Sequence, residues 1–201
     1  MSEPATHSLV VVLSGPSGVG KDSVLAAALA RDDRLARVVT AKTRSPRPGE
    51  VDGVHHLFLS VAAFDDLLAR GGLLEHAEVY GHYSGVPRDQ VERLLGEGKT
   101  VVLRTDVQGA RTLRAKIPQA LLVFLTVPGV DDLERRMRAR GGDDEAAMRR
   151  RLAVAREEMA EADRFDHVIV NREGGLAAAA DELLAVIDRE RARPGRVPPR
   201  L

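Results

Sequence analysis

The sequence contains no cysteine among its 201 residues. Disulfide bonds, thiolate metal sites and a cysteine nucleophile are therefore excluded, and the composition suits a reducing compartment. An excess of charge of one sign is also missing, because 30 Lys and Arg residues balance 30 Asp and Glu residues. No overall field attracts nucleic acid or an anionic membrane surface, so we expect neither as a partner, and any anion site must be local.

Long apolar runs are absent as well. No apolar stretch approaches the roughly 18 residues that a membrane-spanning helix needs. The first residues, MSEPATHS, lack the basic segment and the apolar stretch of a secretory signal. We therefore expect a cytoplasmic protein. The length is typical of a single compact domain with a sizeable core, so a second full domain is not expected.

Short apolar, β-branched runs alternate with helical patterns along the chain. The runs are too continuous for half-exposed strands and indicate strands buried on both faces of a parallel sheet. They cover residues 9–13, 38–40, 101–103, 121–127 and 168–170. Apolar residues at three- and four-residue spacing predict helices over 22–30, 89–95, 107–117, 131–140, 144–162 and 176–191. This alternation predicts a three-layer α/β fold with right-handed crossovers.

Two segments interrupt the alternation. Residues 44–87 combine turn-rich, strand-like and helix-like pieces, which are typical of a small mixed α/β insertion. Residues 134–151 are rich in arginine around a Gly-Gly pair, which indicates a glycine-hinged basic segment between two helices. The Pro-rich tail 194–201 is expected to be flexible. The remaining residues, 8–43, 88–133 and 152–193, form the predicted core.

The stretch GPSGVGKDS contains the G-x-x-x-x-G-K pattern of a phosphate-binding loop. It follows an apolar strand and opens a helix, which is the context that gives this pattern its meaning. There the glycine N–H groups surround phosphate oxygens, while the helix N-terminus and the lysine add positive charge. An ordinary strand-to-helix glycine turn is the alternative. The predicted nucleotide-binding residues are Gly15, Pro16, Ser17, Gly18, Val19, Gly20, Lys21, Asp22 and Ser23.

Asp22 departs from that pattern, which has Ser or Thr after the lysine. The usual hydroxyl ligates Mg²⁺, and a carboxylate would do so directly or through water. A carboxylate about 4 Å from phosphate oxygens also opposes binding, by up to roughly 4 kcal/mol at an effective dielectric constant near 20. Two interpretations stay open: Asp22 is a Mg²⁺ ligand, or it stabilises the first turn of its helix while Ser23 supplies the hydroxyl.

Six motifs resemble the guanylate kinase family, in that family's order and spacing. They are GPSGVGK (15–21), TRSPRPGEVDG (43–53), LLEHAEVYG (73–81), TDVQGA (105–110), RRMRARG (135–141) and DHVIVN (166–171). The resemblance covers roughly residues 9–190. It implies a P-loop nucleoside-monophosphate kinase fold in which 44–87 is the GMP-binding insertion and 134–151 is a helical lid. The implied reaction transfers the γ-phosphoryl group of ATP to GMP with Mg²⁺.

The resemblance also implies roles for single residues. Phosphoryl transfer needs positioning and charge neutralisation more than covalent help, so converging cations are expected. The catalytic candidates are Lys21, Arg44 and the lid arginines Arg136, Arg140 and Arg151. Asn171 matches a position that binds ATP. The candidates for GMP binding are Thr40, Arg44, Arg47, Glu50, His56, Glu75, Tyr83, Ser84 and Asp106.

The roles of Arg44, Arg47 and Glu75 have a clear physical basis. Arg44 and Arg47 match the pair that binds the GMP phosphate, to which a guanidinium fork donates two hydrogen bonds. Glu75 matches the residue that reads guanine, because a carboxylate accepts from N1–H and from the N2 amino group together. Adenine has no donor at N1 and would leave that charge unpaired. Asp106 has an alternative role as the N-cap of the helix that begins at Val107.

Four positions depart from the family pattern. His56 and Ser84 replace tyrosines that usually hold the acceptor phosphate, Val86 replaces a Ser or Thr that contacts the base, and Arg104 replaces a common Asp. A lost neutral hydrogen bond costs about 1 kcal/mol, so each change predicts several-fold weaker affinity rather than loss of function. His56 and Tyr83 are alternative phosphate ligands, or else partly buried packing residues.

Two other functions fit parts of the sequence. The loop ending Lys-Asp-Ser also resembles ribose 1,5-bisphosphate phosphokinases, but an acceptor without a base needs no counterpart of Glu75. A guanylate-kinase-like scaffold that only binds protein tends to lose the loop lysine or the lid arginines, which this chain keeps. We therefore predict an ATP:GMP phosphotransferase whose partners are the small molecules ATP and GMP.

Overall fold

The fold comes from a computed structural model that describes residues 8–79, 81–140 and 144–201, with Val79 and Arg140 described by their backbone alone. The strands are β1 (Leu9–Ser14), β2 (Leu35–Arg37), β3 (Ala41–Lys42), β4 (Leu57–Phe58), β5 (Leu73–Val79), β6 (His82–Pro87), β7 (Thr100–Arg104), β8 (Leu121–Thr126) and β9 (His167–Val170). The helices are α1 (Lys21–Leu29), α2 (Val61–Ala69), α3 (Arg88–Gly96), α4 (Val107–Lys116), α5 (Val130–Arg140), α6 (Glu145–Met159) and α7 (Leu176–Arg191).

The core sheet has five strands in the order β2-β7-β1-β8-β9, and every pair in it is parallel. All six residues of β1 are buried, as are all six of β8. Continuous apolar runs therefore occupy the centre of the sheet, where both faces are covered. Because parallel strands end at the same edge, the phosphate loop after β1 and the last residue of β7, Arg104, are neighbours; Leu13 and Arg104 share one register position.

The strand predicted at 38–40 was wrong. The second strand ends at Arg37, and the backbone of Val39 leaves the sheet to pair with a side chain. The Val39 N–H donates to Gln90 Oε1 (3.1 Å), and Gln90 Nε2 donates to the Val39 carbonyl (3.1 Å). The amide of Gln90 thus satisfies both backbone groups without a ladder partner, which a local propensity pattern does not reveal.

Helices cover both faces of this sheet. On β1, Leu9, Val11 and Leu13 belong to one apolar cluster, and Val10 and Val12 belong to another. The first cluster includes buried residues of α1, α5, α6 and α7, and the second includes buried residues of α3 and α4. Each fully buried Val or Leu contributes about 1.5–3 kcal/mol. The predicted three-layer α/β architecture is confirmed.

The insertion forms a second, mixed sheet in the order β4-β3-β6-β5. β3 pairs parallel to β4 and antiparallel to β6, and β5 and β6 form an antiparallel pair. A small core of Ala41, Phe64 and Leu73 packs between this sheet and α2. Ser60 caps α2 by accepting from Ala63 N (3.1 Å). The insertion therefore has its own apolar centre beside the core sheet.

The C-terminal tail contains no helix or strand in the described chain, yet it contacts the core. Arg196 Nη2 donates to the Ser8 carbonyl (2.7 Å), and Leu201 packs against the second apolar cluster. Helix α6 begins at Glu145 and ends at Met159, short of the predicted 144–162, and a 3₁₀ turn follows at Ala162–Arg164. Among the described residues, no helix combines the length and apolarity needed to span a membrane.

Candidate active site

The loop between β1 and α1 has a backbone that only glycine adopts easily. Gly15 has φ of 136°, and a Cβ there would lie 2.0 Å from the Leu125 carbonyl oxygen. Gly20 has φ of 97°, and a Cβ there would lie 2.7 Å from Asn171 Nδ2. The loop is therefore held close to the ends of the neighbouring strands, with α1 starting directly at Lys21.

Lys21 is enclosed by this loop. Its ammonium group donates to the carbonyl oxygens of Gly15 and Pro16, the latter at 2.9 Å. Burial lowers the pKa of Lys21 to about 8, the positive charge of Arg104 adds to that effect, and the acids Glu158 and Asp22 oppose it. At neutral pH most of the population still carries the positive charge, in a pocket with little water to screen it.

Asn171 and Arg136 stabilise the phosphate loop by hydrogen bonds to one of its carbonyl groups. Asn171 is buried, and its Nδ2 donates to the Val19 carbonyl at 2.8 Å. Arg136 on α5 donates to the same Val19 carbonyl (3.2 Å) and to the Asn171 carbonyl (2.7 Å). These two candidates thus meet at one point of the loop and link α5 and the end of β9 to it.

Helix α6 supplies a second contact to the loop. Arg151 Nη2 donates to Ser17 Oγ at 3.1 Å. Glu158, seven residues further along the same helix face, lies close enough to Lys21 and Ser17 to interact with both, and burial raises the pKa of Glu158. The sequence interpretation missed Glu158, although its two-turn spacing from Arg151 was a usable signal. The side chain of the predicted Arg140 lies outside the described part of the structure.

Beside α1 lies a cleft of about 730 Å³. Five of its lining side chains are cationic and two are carboxylates. Six of the predicted site residues line it: Asp22, Thr40, Arg44, Arg47, Glu50 and His56. Lys42 and Arg104 line it as well, and the sequence interpretation did not assign them to the site. The lining of this cleft is therefore cationic in a chain of zero net charge.

Glu50 organises the two predicted phosphate-binding arginines. Its carboxylate accepts from both terminal nitrogens of Arg44 (2.6 and 2.7 Å) and from the Arg47 backbone N–H (2.8 Å). The bond from Arg44 is the main reason that the pKa of Glu50 falls to about 2. The Arg44 guanidinium also lies 5.5 Å from the centre of the Phe58 ring. Arg44 is therefore fixed at the cleft wall by a bidentate pair and an aromatic face.

His56 is a neutral residue of this cleft. Its Nδ1 lies 2.9 Å from Thr40 Oγ1, and its Nε2 is 3.8 Å from Glu50 Oε1. Burial, followed by the charge of Lys42, lowers the pKa of His56 to about 4. An uncharged imidazole still offers a hydrogen bond to a phosphate, which is what the tyrosine at this position would offer.

Glu75 lies on β5, facing the start of α4. Only 7% of the residue is exposed, and burial, together with the charge of Asp106, raises the pKa of Glu75 to about 7. Asp106 is the N-cap of α4, because its Oδ1 accepts from Gly109 N at 2.8 Å. A Cβ at Gly109 would lie 3.0 Å from Glu75 Oε1, so glycine leaves room for the Glu75 carboxyl group.

The remaining predicted acceptor residues have mainly packing contacts. The Tyr83 ring stacks on Phe64 with centroids 5.6 Å apart. Ser84 Oγ accepts from Lys42 Nζ at 3.3 Å, and Val86 is 2% exposed within the second apolar cluster. At positions 84 and 86 the family pattern has a tyrosine and a Ser or Thr. This chain instead has a serine that is hydrogen-bonded to Lys42 and a buried valine.

Asp22 and Arg104, the departures at the start of α1 and the end of β7, form an ion pair. Arg104 Nε lies 2.8 Å from Asp22 Oδ1, with 35% of the Arg104 side chain and 78% of the Asp22 side chain exposed. The sequence interpretation noted both departures but did not pair them. Their opposite charges, at neighbouring positions of one sheet edge, were the available signal.

The described residues of this site offer few ligands for a divalent metal ion. Among the described residues, no group of three or more His, Cys, Asp or Glu side chains could hold an ion. Mg²⁺ in kinase sites is held mainly by substrate phosphates and water, with only one or two carboxylates. The donor set at this site fits a Mg²⁺ ion bound in that way and does not form a dedicated cage.

Comparisons with known proteins agree with this geometry. The sequence model of the guanylate kinase family matches residues 7–190. A guanylate kinase of Gloeobacter violaceus is 49% identical over 183 residues, covering 90% of this chain and 89% of that protein. One of Trichormus variabilis is 46% identical over 181 residues, covering 90% and 91%. The crystal structure of guanylate kinase from Anaplasma phagocytophilum is similar with a TM-score of 0.75 at 28% identity, covering 94% and 89%.

Proposed function

This chain belongs to the guanylate kinase family, and from that premise we propose how its residues carry out the reaction. The chain is an enzyme, a nucleoside-monophosphate kinase that transfers the γ-phosphoryl group of ATP to GMP and yields ADP and GDP. One observation carries the assignment of residues: the cation-lined cleft borders the helix that starts at Lys21. A donor phosphate and an acceptor phosphate would therefore meet there.

On the donor side, the phosphate loop would bind the ATP phosphates. Its backbone N–H groups, the N-terminus of α1 and the Lys21 ammonium supply the positive potential. Arg136 and Asn171 keep the loop in shape through the Val19 carbonyl. We expect Lys21 to exchange its contacts with the loop carbonyls for phosphate oxygens when ATP binds.

On the acceptor side, Arg44 and Arg47 would bind the GMP phosphate, with Thr40, His56 and Lys42 as further donors. The ion pair between Arg44 and Glu50, whose side chains are 17% and 19% exposed, fixes the Arg44 guanidinium group before substrate binds. Such preorganisation means that little side-chain freedom is lost on binding.

Guanine would be read by Glu75 in its ionised form. The carboxylate accepts from N1–H and N2–H₂ of guanine in a pocket that excludes most water. With adenine, the same buried charge has no donor opposite N1, which is costly for a buried acceptor. Val86 supplies an apolar surface beside this site in place of a hydroxyl.

In the reaction, a phosphate oxygen of GMP attacks the γ-phosphorus of ATP, and the bond to the β,γ-bridging oxygen breaks with its electron pair leaving on ADP. The protein's part is to align the two phosphates and to neutralise the charge on the equatorial oxygens. Lys21 and the lid arginines Arg136, Arg140 and Arg151 are the proposed sources of positive charge. Closure of the lid would exclude water that otherwise hydrolyses ATP.

Mg²⁺ is proposed to enter with ATP, held chiefly by phosphate oxygens and water. It would supply further positive charge to the β- and γ-phosphates. The sequence leaves two interpretations of Asp22 open, a Mg²⁺ ligand or a residue that stabilises the first turn of α1. Because Asp22 Oδ1 lies 2.8 Å from Arg104 Nε, Asp22 would contact the ion through water and keep this ion pair. We accordingly propose an indirect role of Asp22 toward the metal.

A coupled assay of ADP formation tests this function with GMP, dGMP, AMP, UMP and ribose 1,5-bisphosphate as acceptors. We expect ADP formation to depend on GMP, dGMP to be a weaker acceptor, and kcat/KM for AMP to be lower by a factor on the order of 10³ or more. Equal turnover with AMP or with ribose 1,5-bisphosphate would contradict the assignment of the acceptor. Absence of GMP-dependent turnover would contradict the enzymatic function itself.

A further inference from the structure

Arg104 lies between the two halves of the proposed site. It is the last residue of β7, adjacent in register to Leu13 of β1, from which the phosphate loop leaves the sheet. Its side chain lines the cleft that also contains Arg44 and Arg47. Arg104 is therefore attached to the donor side by its backbone and reaches the acceptor side with its guanidinium group.

The charge of Arg104 acts on both sides. It lowers the pKa of Lys21 in the phosphate loop, second to burial, and it lowers the pKa of Lys42 in the acceptor cleft, again second to burial. The geometry agrees: Arg104 Nε lies 2.8 Å from Asp22, the residue after Lys21, and the Arg104 side chain lines the same cleft as Lys42. A group in that location faces the path between a donor and an acceptor phosphate.

The ion pair with Asp22 accounts for the orientation of Arg104. Asp22 contacts Nε, and in the described part of the chain no hydrogen bond uses the terminal nitrogens Nη1 and Nη2 of Arg104. These nitrogens form the outer edge of the guanidinium fork, which is the edge that binds phosphate oxygens in pairs. The positive charge of Arg104 also offsets the negative charge of Asp22, which without this partner would repel the ATP phosphates.

We propose that Arg104 is a further catalytic residue, which binds the phosphoryl group during its transfer from ATP to GMP, and that Asp22 is a positioning residue that orients the Arg104 fork. This proposal rests on the proposed function. Arg104 transfers no proton; its contribution is positive charge placed where the equatorial oxygens of the γ-phosphoryl group become more negative.

Kinetics of Arg104→Met and Arg104→Lys test the catalytic role. The methionine variant should lower kcat about 100-fold, as loss of one transition-state donor does elsewhere, while KM for ATP and GMP changes less than about threefold. The lysine variant keeps the charge but not the fork, and it should lower kcat about tenfold. A kcat within twofold of wild type in the methionine variant would overturn the proposal. Thermal melting confirms that each variant is folded.

Asp22→Asn and the double variant Asp22→Asn/Arg104→Met test the positioning role. The single Asp22 variant should lower kcat about tenfold, and the double variant should be within about twofold of Arg104→Met alone, because the two residues act as a unit. Independent effects would instead multiply to about 1,000-fold and would overturn the positioning role. So would a rise of about tenfold or more in the Mg²⁺ concentration needed for half-maximal activity, which marks a direct metal ligand.

Affinity measurements distinguish the proposed role of Arg104 from that of residues that contact only the acceptor. The probe is a bisubstrate analogue in which adenosine and guanosine are joined by five phosphates, measured by calorimetry beside GMP alone. Arg104→Met should weaken the analogue about tenfold or more and GMP less than threefold. Equal weakening of both would assign Arg104 to the GMP phosphate alone and overturn the proposal.

The matched control is the exposed pair Arg93–Glu97 at the C-terminal end of α3, whose charged atoms are 2.6 Å apart outside the cleft. Arg93→Met and Glu97→Gln should leave kcat and both affinities unchanged. Wild-type turnover with GMP is measured first. If it is absent, the proposed function fails, whereas a fully active Arg104→Met variant beside an active wild type refutes this inference alone.

Discussion

The carboxyl group of Glu75 loses most of its water on folding, with only 7% of the residue exposed. Burial and the nearby charge of Asp106 raise the pKa of Glu75 to about 7. In the role proposed for it, the ionised form would accept hydrogen bonds from guanine, whereas the protonated form would present an O–H toward the N1–H of the base. This one residue would therefore make the proposed acceptor recognition sensitive to pH in the physiological range.

This residue predicts a pH-dependent KM for GMP. Because the pKa is raised, the carboxylate is present above pH 7 and is lost as pH falls through it. We expect KM for GMP to rise about tenfold for each pH unit below about 6. Glu75→Gln should raise KM at pH 8 and abolish this dependence, since an amide does not titrate. Steady-state kinetics from pH 5.5 to about 8.5 measure both effects, and an unchanged pH profile in the Gln variant would contradict the role of Glu75.

At the scale of elements, helix starts determine where the functional groups lie. Helix α4 begins beside Glu75, with Asp106 as its N-cap, and α6 begins with Asp144 as its N-cap and carries Arg151 to the phosphate loop. An N-cap satisfies an N–H group that has no partner inside the helix. At Asp144 the cap stabilises the helix alone. At Asp106 the cap also places a negative charge close to Glu75, the residue proposed to bind guanine.

The two caps provide a matched comparison. Asp106→Ala and Asp144→Ala should each lower the free energy of unfolding by about 1 kcal/mol, because each removes one side-chain bond, to Gly109 N (2.8 Å) and to Ala147 N (2.7 Å) respectively. Urea denaturation measures this loss. Asp106→Ala alone should also shift the pH profile of KM for GMP to lower pH, since Asp106 raises the pKa of Glu75. An identical shift in both variants would refute the coupling.

At the scale of the whole molecule, a buried ion pair ties the last helix to the sheet. Asp32 follows α1, and its carboxylate accepts from Arg34 Nε (2.8 Å) and from Arg191 Nη1 of α7 (2.8 Å). The Asp32 and Arg191 side chains are each 7% exposed. Arg191 Nε also donates to Thr100 Oγ1 (2.9 Å) at the start of β7, so three distant parts of the chain meet there.

Breaking this pair should destabilise the fold. Asp32→Asn removes the buried carboxylate beside Arg191 and leaves the more exposed Asp188 (Oδ1 3.0 Å from Nη1) as its partner. We expect a loss of about 3 kcal/mol in the free energy of unfolding at pH 7, the lower end for a broken buried pair. The hydrogen bonds from Arg34 and Arg191 hold the pKa of Asp32 well below its usual range. The stabilisation is thus fully present above the unfolded pKa near 3.8 and is lost progressively as pH falls from there toward the depressed folded-state pKa, so the difference in stability between wild type and variant should narrow in acid. Urea denaturation at pH 7 and about pH 3 checks this.

The exposed pair Arg93–Glu97 is the control, where Glu97→Gln should cost under about 1 kcal/mol.

The sequence by itself determined what depends on neighbours along the chain. Apolar runs and helical periodicity predicted the alternation of strands and helices, and the glycine spacing before Lys21 predicted the phosphate loop, because these patterns follow from local backbone geometry. The strand predicted at 38–40 failed where a distant side chain, Gln90, satisfied the backbone of Val39.

Only the tertiary structure decided which distant charges meet. It paired Asp22 with Arg104 across two strand ends, brought Glu158 to Lys21, and turned Glu50 toward Arg44. The raised pKa of Glu75 likewise comes from burial beside Asp106, 31 positions away in the chain. Charge interactions and desolvation depend on distance in space and not on separation in sequence, which is why residue types alone left them open.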